Sequence, residues 1–171
     1  MTSNFISVKK VLIRVDFNVP INKGIIKDLT RITSSLPTIE YFLEQGMSVI
    51  LMSHLGRPKH KEKSLSLKIL INPLSKLLQR KVLFSSEITN NNFKKLKEGE
   101  VLLLENLRFY DGEVKNDLHF SELLSKYGDI YVNDAFGVSH REHASVLGIQ
   151  NFFHNTKYKG FLLEKELIQL E

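Results

Sequence analysis

The residues best suited to chemistry crowd into one stretch, Tyr131–Ser145, which reads Tyr-Val-Asn-Asp-Ala-Phe-Gly-Val-Ser-His-Arg-Glu-His-Ala-Ser. Asn133, Asp134, Ser139, His140, Arg141, Glu142 and His143 all follow the apolar run Ile130-Tyr131-Val132. Three chemistries fit these residue types. His140 and His143, at i and i+3 with Asp134 or Glu142, carry the donor types of a metal site. Ser139, His140 and Asp134 carry the types of a nucleophile, its base and an orienting acid. Arg141, flanked by imidazoles, offers a planar fork for a phosphate. Gly137 sits where a chain leaving a strand is expected to need a positive φ.

Smaller polar sets recur along the chain. Asp16 and Asn18 follow one apolar run, His54 and Arg57 a second, and Glu105 and Arg108 a third. The elements that position them can be read from hydrophobic patterning. Val8–Phe17 is a β-rich run that ends at Asn18-Val19-Pro20, and Asn22-Lys23-Gly24 is a turn signal with Ile25-Ile26 as a short extension. Asp28 or Thr30 is expected to cap a helix running to about Gln45, kinked near Pro37 and closed by Gly46. Ser48–Ser53 reads as a doubly buried strand. A helix over Ser66–Leu78, interrupted at Pro73, precedes a short strand at Lys81–Phe84 and a short helix at Asn91–Leu96. Glu100–Leu104 is a strand, Asp111-Gly112 a turn, His119–Lys126 a helix and Asp129–Val132 the next strand. Ala144–Ile149 reads as a helix start and Lys159–Leu170 as an amphipathic helix.

Strands alternate with helices, and the strands are continuous apolar runs. That predicts a single-domain α/β fold: a doubly wound, Rossmann-like parallel sheet with helices on both faces. On such a sheet every polar set lies at the carboxyl end of a strand, where ligand crevices form. Four loops then bring Arg57, Arg108 and Arg141 to one rim, joined by Arg31 at the start of the first helix. Of the six arginines, Arg80 and the mid-strand Arg14 fall outside. Converging arginines and histidines at helix N-termini make an anion site. Local pairing of Arg31 with Asp28, or of Arg108 with Glu105, is the alternative for those two.

The bulk numbers narrow the classes. The 171 residues suffice for one core, and 42% hydrophobic with 25% charged is an ordinary globular balance. There is no cysteine, which excludes disulfides, thiolate zinc sites and cysteine nucleophiles. No apolar segment follows a basic start at Met1–Phe5, and runs such as Val101–Leu104 are too short to span a bilayer, so a cytoplasmic location is expected. The net charge of +5 and pI of about 9.3 suit an anionic partner. Scattered lysines without aromatic interleaving speak against nucleic acid. Neither a Gly-x-x-x-x-Gly-Lys-Ser/Thr loop nor a Gly-x-Gly-x-x-Gly turn is present, so no nucleotide cradle is visible. A zinc site lacks a third ligand at suitable spacing, and no nucleophile-elbow pattern surrounds Ser139.

Four motifs carry a resemblance. Arg14-Val15-Asp16-Phe17-Asn18-Val19-Pro20, Ser53-His54-Leu55-Gly56-Arg57-Pro58, Leu104-Glu105-Asn106-Leu107-Arg108-Phe109 and Asn133–Arg141 resemble the phosphoglycerate kinase family in order and spacing, over about Val8 to Leu167. The resemblance implies two α/β domains joined by a hinge. The amino-terminal domain, residues 1–158 here, binds 3-phosphoglycerate or 1,3-bisphosphoglycerate. Residues 159–171 begin the hinge helix. Mg-ADP or Mg-ATP is held by a carboxyl-terminal domain that this chain is expected to lack. Carried over by motif, Asp16, Phe17 and Asn18 line the substrate site, with His54, Leu55, Gly56 and Arg57 as a second wall. Arg57, Arg108 and Arg141 hold the 3-phosphate, and Arg31 reaches the transferring phosphoryl group as the catalytic residue. His140 and His143 support the site through bonds to Asp134, to the loop backbone or to substrate, and no metal ligand is implied.

The resemblance also implies a usually monomeric cytoplasmic glycolytic enzyme with a small-molecule substrate, no nucleic-acid or membrane partner, and little activity for this chain without a separate carboxyl-terminal half. A non-catalytic anion-binding or interaction module that keeps the fold is the alternative. Val138-Ser139 and Glu142 depart from the family pattern, and Glu142 would weaken phosphate binding if it faced the site. The Lys159–Leu170 helix is expected to leave an apolar face exposed and to promote self-association.

Overall fold

The computed structural model describes residues 9–89 and 96–170. The expected helix at Asn91–Leu96 lies almost wholly outside them. Among the described residues, six parallel strands form one sheet: β1 (Lys10–Arg14), β4 (Ser48–Met52), β5 (Val82–Ser85), β6 (Val101–Leu104), β7 (Ile130–Asn133) and β8 (Lys157–Lys159), in the order β5-β6-β4-β1-β7-β8. A separate hairpin pairs β2 (Ile21–Asn22) with β3 (Ile25–Ile26) across Lys23-Gly24, both at positive φ.

Alternation along each strand builds the two covered faces. Val11, Ile13, Val49, Leu51, Val101 and Leu103 pack against Ile32, Ile39 and Leu43 of α1 (Thr30–Glu44) and against Leu74 and Leu78 of α2 (Ile71–Leu78). Leu12, Ile50, Met52, Leu102, Leu104 and Tyr131 face the other way, onto Phe120 and Leu124 of α4 (Leu118–Ser125) and onto Ile149 and Phe153. Each fully buried aliphatic or aromatic side chain contributes about 1.5–3 kcal/mol. Burial on both faces is why the strands read as apolar runs.

The two prolines within helices are accommodated. Pro37 lies inside α1, and the helix continues across it; the absent N–H leaves the Thr33 carbonyl without its helical donor. Pro73 lies in the first turn of α2, where its N–H would have no helical partner, so it does not interrupt the helix. The segment before it, Leu67–Leu70, is a 3₁₀ turn.

Two expectations are corrected here. Asp111-Gly112 opens a one-turn helix, α3 (Asp111–Val114). Ala144–Ile149 starts no α-helix; turns lead into a 3₁₀ segment at Gly148–Phe152. The last amphipathic stretch is a helix as read, beginning two residues later, and a strand precedes it. Lys157–Lys159 is edge strand β8, and α5 spans Phe161–Leu170 with Ile168 and Leu170 each 72% exposed. Among the described residues, no helix is long and apolar enough to cross a membrane.

Candidate functional site

Chain connectivity places the crevice. From β1 the chain moves to β4 on one side, and it later returns to β7 on the other. Loops leaving β1 and β7 therefore diverge, which opens a gap at the carboxyl edge of the sheet. There, Asp16, Asn18, Arg31, His54, Gly56, Arg57, Arg108, Gly137, Val138 and Arg141 line a cavity of about 290 Å³. Arg31, Arg57, Arg108 and Arg141, from four different segments, come together on this one cavity.

Side chain to backbone bonds hold the walls together. Phe17 N–H donates to Ser53 Oγ at 2.9 Å, tying the loop after β1 to the loop after β4. Gly56 N–H donates to Asn18 Oδ1 at 2.9 Å. Asn106 Oδ1 accepts from the N–H groups of Leu55 (3.2 Å) and Arg108 (3.0 Å), while its Nδ2 donates to the carbonyls of Leu55 and Leu65. Buried Asn106 thus fastens the loop after β6 to the second wall. The sequence names it only as part of a motif, and its signal is an amide two residues before an arginine.

The arginines differ in commitment. Arg31 Nη1 lies 2.6 Å from Asp16 Oδ2, an ion pair across the crevice rather than with Asp28. Asp28 instead accepts the Thr30 N–H at 2.6 Å. An arginine in the first turn opposes the helix dipole, and Asp16 offsets it. Glu105 is occupied by the Ser66 hydroxyl and the Leu67 N–H and forms no pair with Arg108. Arg108 Nη1 donates to the Gly56 carbonyl at 2.9 Å, and burial, then Arg14 and Arg141, draw its pKa below the usual arginine value. Arg57 and Arg141 are exposed and have no hydrogen bond or ion pair within the described residues. Such crowded cations gain from an arriving anion.

Two expected wall residues turn inward. The side chains of Phe17 (0% exposed) and Leu55 (2%) belong to the core, so only their backbones stand near the crevice. His140 and Glu142 are exposed and do not line the cavity, so Glu142 does not face the site. The Ser139 hydroxyl donates to the Phe136 carbonyl at 2.8 Å. Gly137 has no positive φ. It is needed for space, since a Cβ there would lie 2.9 Å from Asp16 Oδ2.

Asp134 points away from the crevice. Its Oδ1 accepts the N–H groups of Leu162 (3.0 Å) and Leu163 (3.3 Å), satisfying orphan donors in the first turn of α5. Burial raises its pKa to about 6 against the lowering effect of Thr38 and these bonds. It is therefore partner to neither histidine. Among the described residues, no group of three or more His, Asp or Glu is placed to hold a metal.

Below the crevice lies a buried network that the sequence did not reveal. Arg14, fully buried, donates through Nε to Ser145 Oγ at 2.9 Å and through Nη2 to His54 Nδ1 at 2.9 Å, and through Nη1 to the Val15 carbonyl. Ser145 Oγ donates to Glu113 Oε1 at 2.8 Å, and the Tyr131 hydroxyl donates to the Ser145 carbonyl at 2.8 Å. His143 Nδ1 lies 4.0 Å from Glu113 Oε1. Burial, Arg14 and Arg108 push His54 down to about 2; burial and the same arginines push His143 down to about 4. Both imidazoles are neutral near pH 7.

Comparison with known proteins relates the chain to one family. Residues 2–171 match the family described as Phosphoglycerate kinase. A protein named phosphoglycerate kinase from Borreliella afzelii (strain PKo) is 50% identical over 169 residues, covering 95% of this chain and 42% of its own length. One from Campylobacter curvus (strain 525.92) is 51% identical over 166 residues, covering 93% and 42%. The solved structure of phosphoglycerate kinase from Coxiella burnetii superposes with a TM-score of 0.85 at 36% identity, covering 94% of this chain and 41% of that one. The chain spans about 42% of the length of the relatives it matches.

Proposed function

The chain belongs to the phosphoglycerate kinase family, and from that premise we propose that it supplies the 3-phosphoglycerate-binding half of the kinase. The whole enzyme transfers a phosphoryl group between 1,3-bisphosphoglycerate and ADP, giving 3-phosphoglycerate and ATP, in the cytoplasm. The observation that carries this reading is the convergence of Arg31, Arg57, Arg108 and Arg141 with His54 on one cavity. Phosphoryl transfer depends on positioning and charge neutralisation rather than on a covalent nucleophile.

The roles follow from commitment. Arg57 and Arg141, lacking internal partners, hold the 3-phosphate together with the free donors of Arg108. Asn18, whose Oδ1 is taken by Gly56, presents its amide hydrogens. Arg31, steered by Asp16, reaches the transferring phosphoryl group. The donor set does not fit the Mg-nucleotide, because the single carboxylate in the lining, Asp16, is already paired. Nucleotide binding is assigned to a carboxyl-terminal domain. The division we propose falls at Gly160, since Lys159 still belongs to β8. Isolated, the chain binds substrate weakly and turns over little, and a carboxyl-terminal half added in trans restores activity.

Calorimetry with 3-phosphoglycerate tests the assignment. Wild type should give a saturable heat, and Arg57→Ala and Arg141→Ala should each weaken binding about tenfold or more. Equal heats for all three proteins would refute the site.

A further inference from the structure

We infer that Glu113, which lies outside the crevice, is the positioning residue that holds His54 as an uncharged Nε2–H donor facing the substrate. The inference rests on the proposed function for the identity of that substrate.

The hydrogen-bond directions allow one arrangement. Glu113 is fully buried, and its Oε1 accepts both the hydroxyl and the N–H of Ser145, at 2.8 and 3.2 Å. Its carbonyl accepts the Ala144 N–H at 2.9 Å, so α3 grips residues 144–145 from one side. The single hydroxyl hydrogen of Ser145 is spent on Glu113. Its lone pair therefore faces Arg14 Nε, which donates to it at 2.9 Å. A guanidinium has donors only. With Nε directed to Ser145 and Nη1 to the Val15 carbonyl, Nη2 is aimed at His54 Nδ1. That nitrogen must accept, so the ring hydrogen sits on Nε2.

The charges around His54 favour the same state. Arg14 lies beneath it, Arg57 is on its own loop, and Arg31, Arg108 and Arg141 come from three other elements, with neutral His143 nearby. A further cation there would be opposed first by Arg14, then by Arg108 and Arg31, and the carboxylate of the lining, Asp16, is already paired with Arg31. Glu113 is the largest opposing charge on Arg14, ahead of Asp16. Burial pushes the Glu113 carboxyl up, while Arg14 and Ser145 pull it down. Its Oε1 accepts in either protonation state, so the relay does not depend on that balance. A neutral donor gives the substrate a directional hydrogen bond whose strength does not change across the neutral pH range.

Nitrogen-15 NMR of the ligand-free chain tests this, with the His54 signals assigned by their loss in His54→Asn. The wild type should show only the Nε2–H tautomer, without titration between about pH 5 and 8. Ser145→Ala and Glu113→Ala should each give a mixed or inverted tautomer and weaken 3-phosphoglycerate binding about tenfold. Glu113→Gln, which keeps the acceptor oxygen, should retain the wild-type tautomer. An Nδ1–H tautomer in the wild type, or an unchanged tautomer in Ser145→Ala, overturns the inference. Ser145→Ala removes one atom and carries the test should Glu113→Ala fail to fold. Absence of 3-phosphoglycerate binding with the expected tautomers would overturn the proposed function alone.

Discussion

Replacing Asp134 with asparagine isolates the energetic consequence of burying the carboxylate that holds α5. Asparagine keeps the Oδ1 acceptor for the Leu162 and Leu163 N–H groups but cannot ionise. The Asp134 carboxyl moves from 3.8 to about 6 in the folded protein. At 1.36 kcal/mol per pH unit, that difference corresponds to about 3 kcal/mol. The folded-state pKa of this acid is raised, so the native state holds the extra proton between the two values. Wild-type stability therefore falls as pH rises from about 4 to about 6, and the full penalty persists above that. Urea unfolding of both proteins from pH 4 to 7.5 measures the effect as a difference, which cancels contributions from other groups. Wild type minus Asp134→Asn should decline by about 2.5 kcal/mol across that window, the remainder having been lost below pH 4, with most of the change below pH 6.5. A flat difference, or one that rises with pH, would refute the burial-dominated account of Asp134.

Two further predictions concern the supports. Gly160→Ala would put a Cβ 2.2 Å from Asp134 Oδ1 and 2.7 Å from Asp134 Cβ and displace that carboxylate from α5; urea unfolding should show a loss of about 2–4 kcal/mol, and the loss should largely vanish in an Asp134→Gly background, which removes both atoms. Asn106→Ala removes four hydrogen bonds, two of them buried and two part-buried, and should lower stability by about 3 kcal/mol by denaturant unfolding, with weaker 3-phosphoglycerate binding by calorimetry as Arg108 loses its anchor.

What was legible in the sequence shares one physical origin. A strand buried on both faces must be apolar throughout, so β1, β4, β6 and β7 announced themselves, and with them the carboxyl edge. The polar sets after those strands needed only that edge to converge. Strand β8 carries no such constraint: Lys-Tyr-Lys is exposed at the margin of the sheet, and its pairing comes from backbone groups alone. Arg14 was visible as an odd residue in an apolar run, but its partners lie at Glu113 and Ser145, too distant in sequence for any local pattern to name. Asp134 misled for a related reason. Its chemistry suited the crevice, yet its direction was set by where α5 docks, a tertiary fact. Phe17 and Leu55 belong to matching motifs, and motif membership does not say which atoms face the ligand.

The position of β1 has a consequence for how the chain folds. It is central, pairing Lys10–Arg14 with Ser48–Met52 on one side and Val11–Arg14 with Ile130–Asn133 on the other. The second pairing closes a loop of more than a hundred residues, and the hydrogen bond from Arg14 to Ser145 spans 131 positions. Contacts of such separation are made against a large chain entropy and slow the folding step that forms them. During synthesis, β1 must therefore wait with one edge unpaired and a guanidinium in water until nearly the whole stretch has emerged. The crevice is then completed in the same late event that closes the sheet.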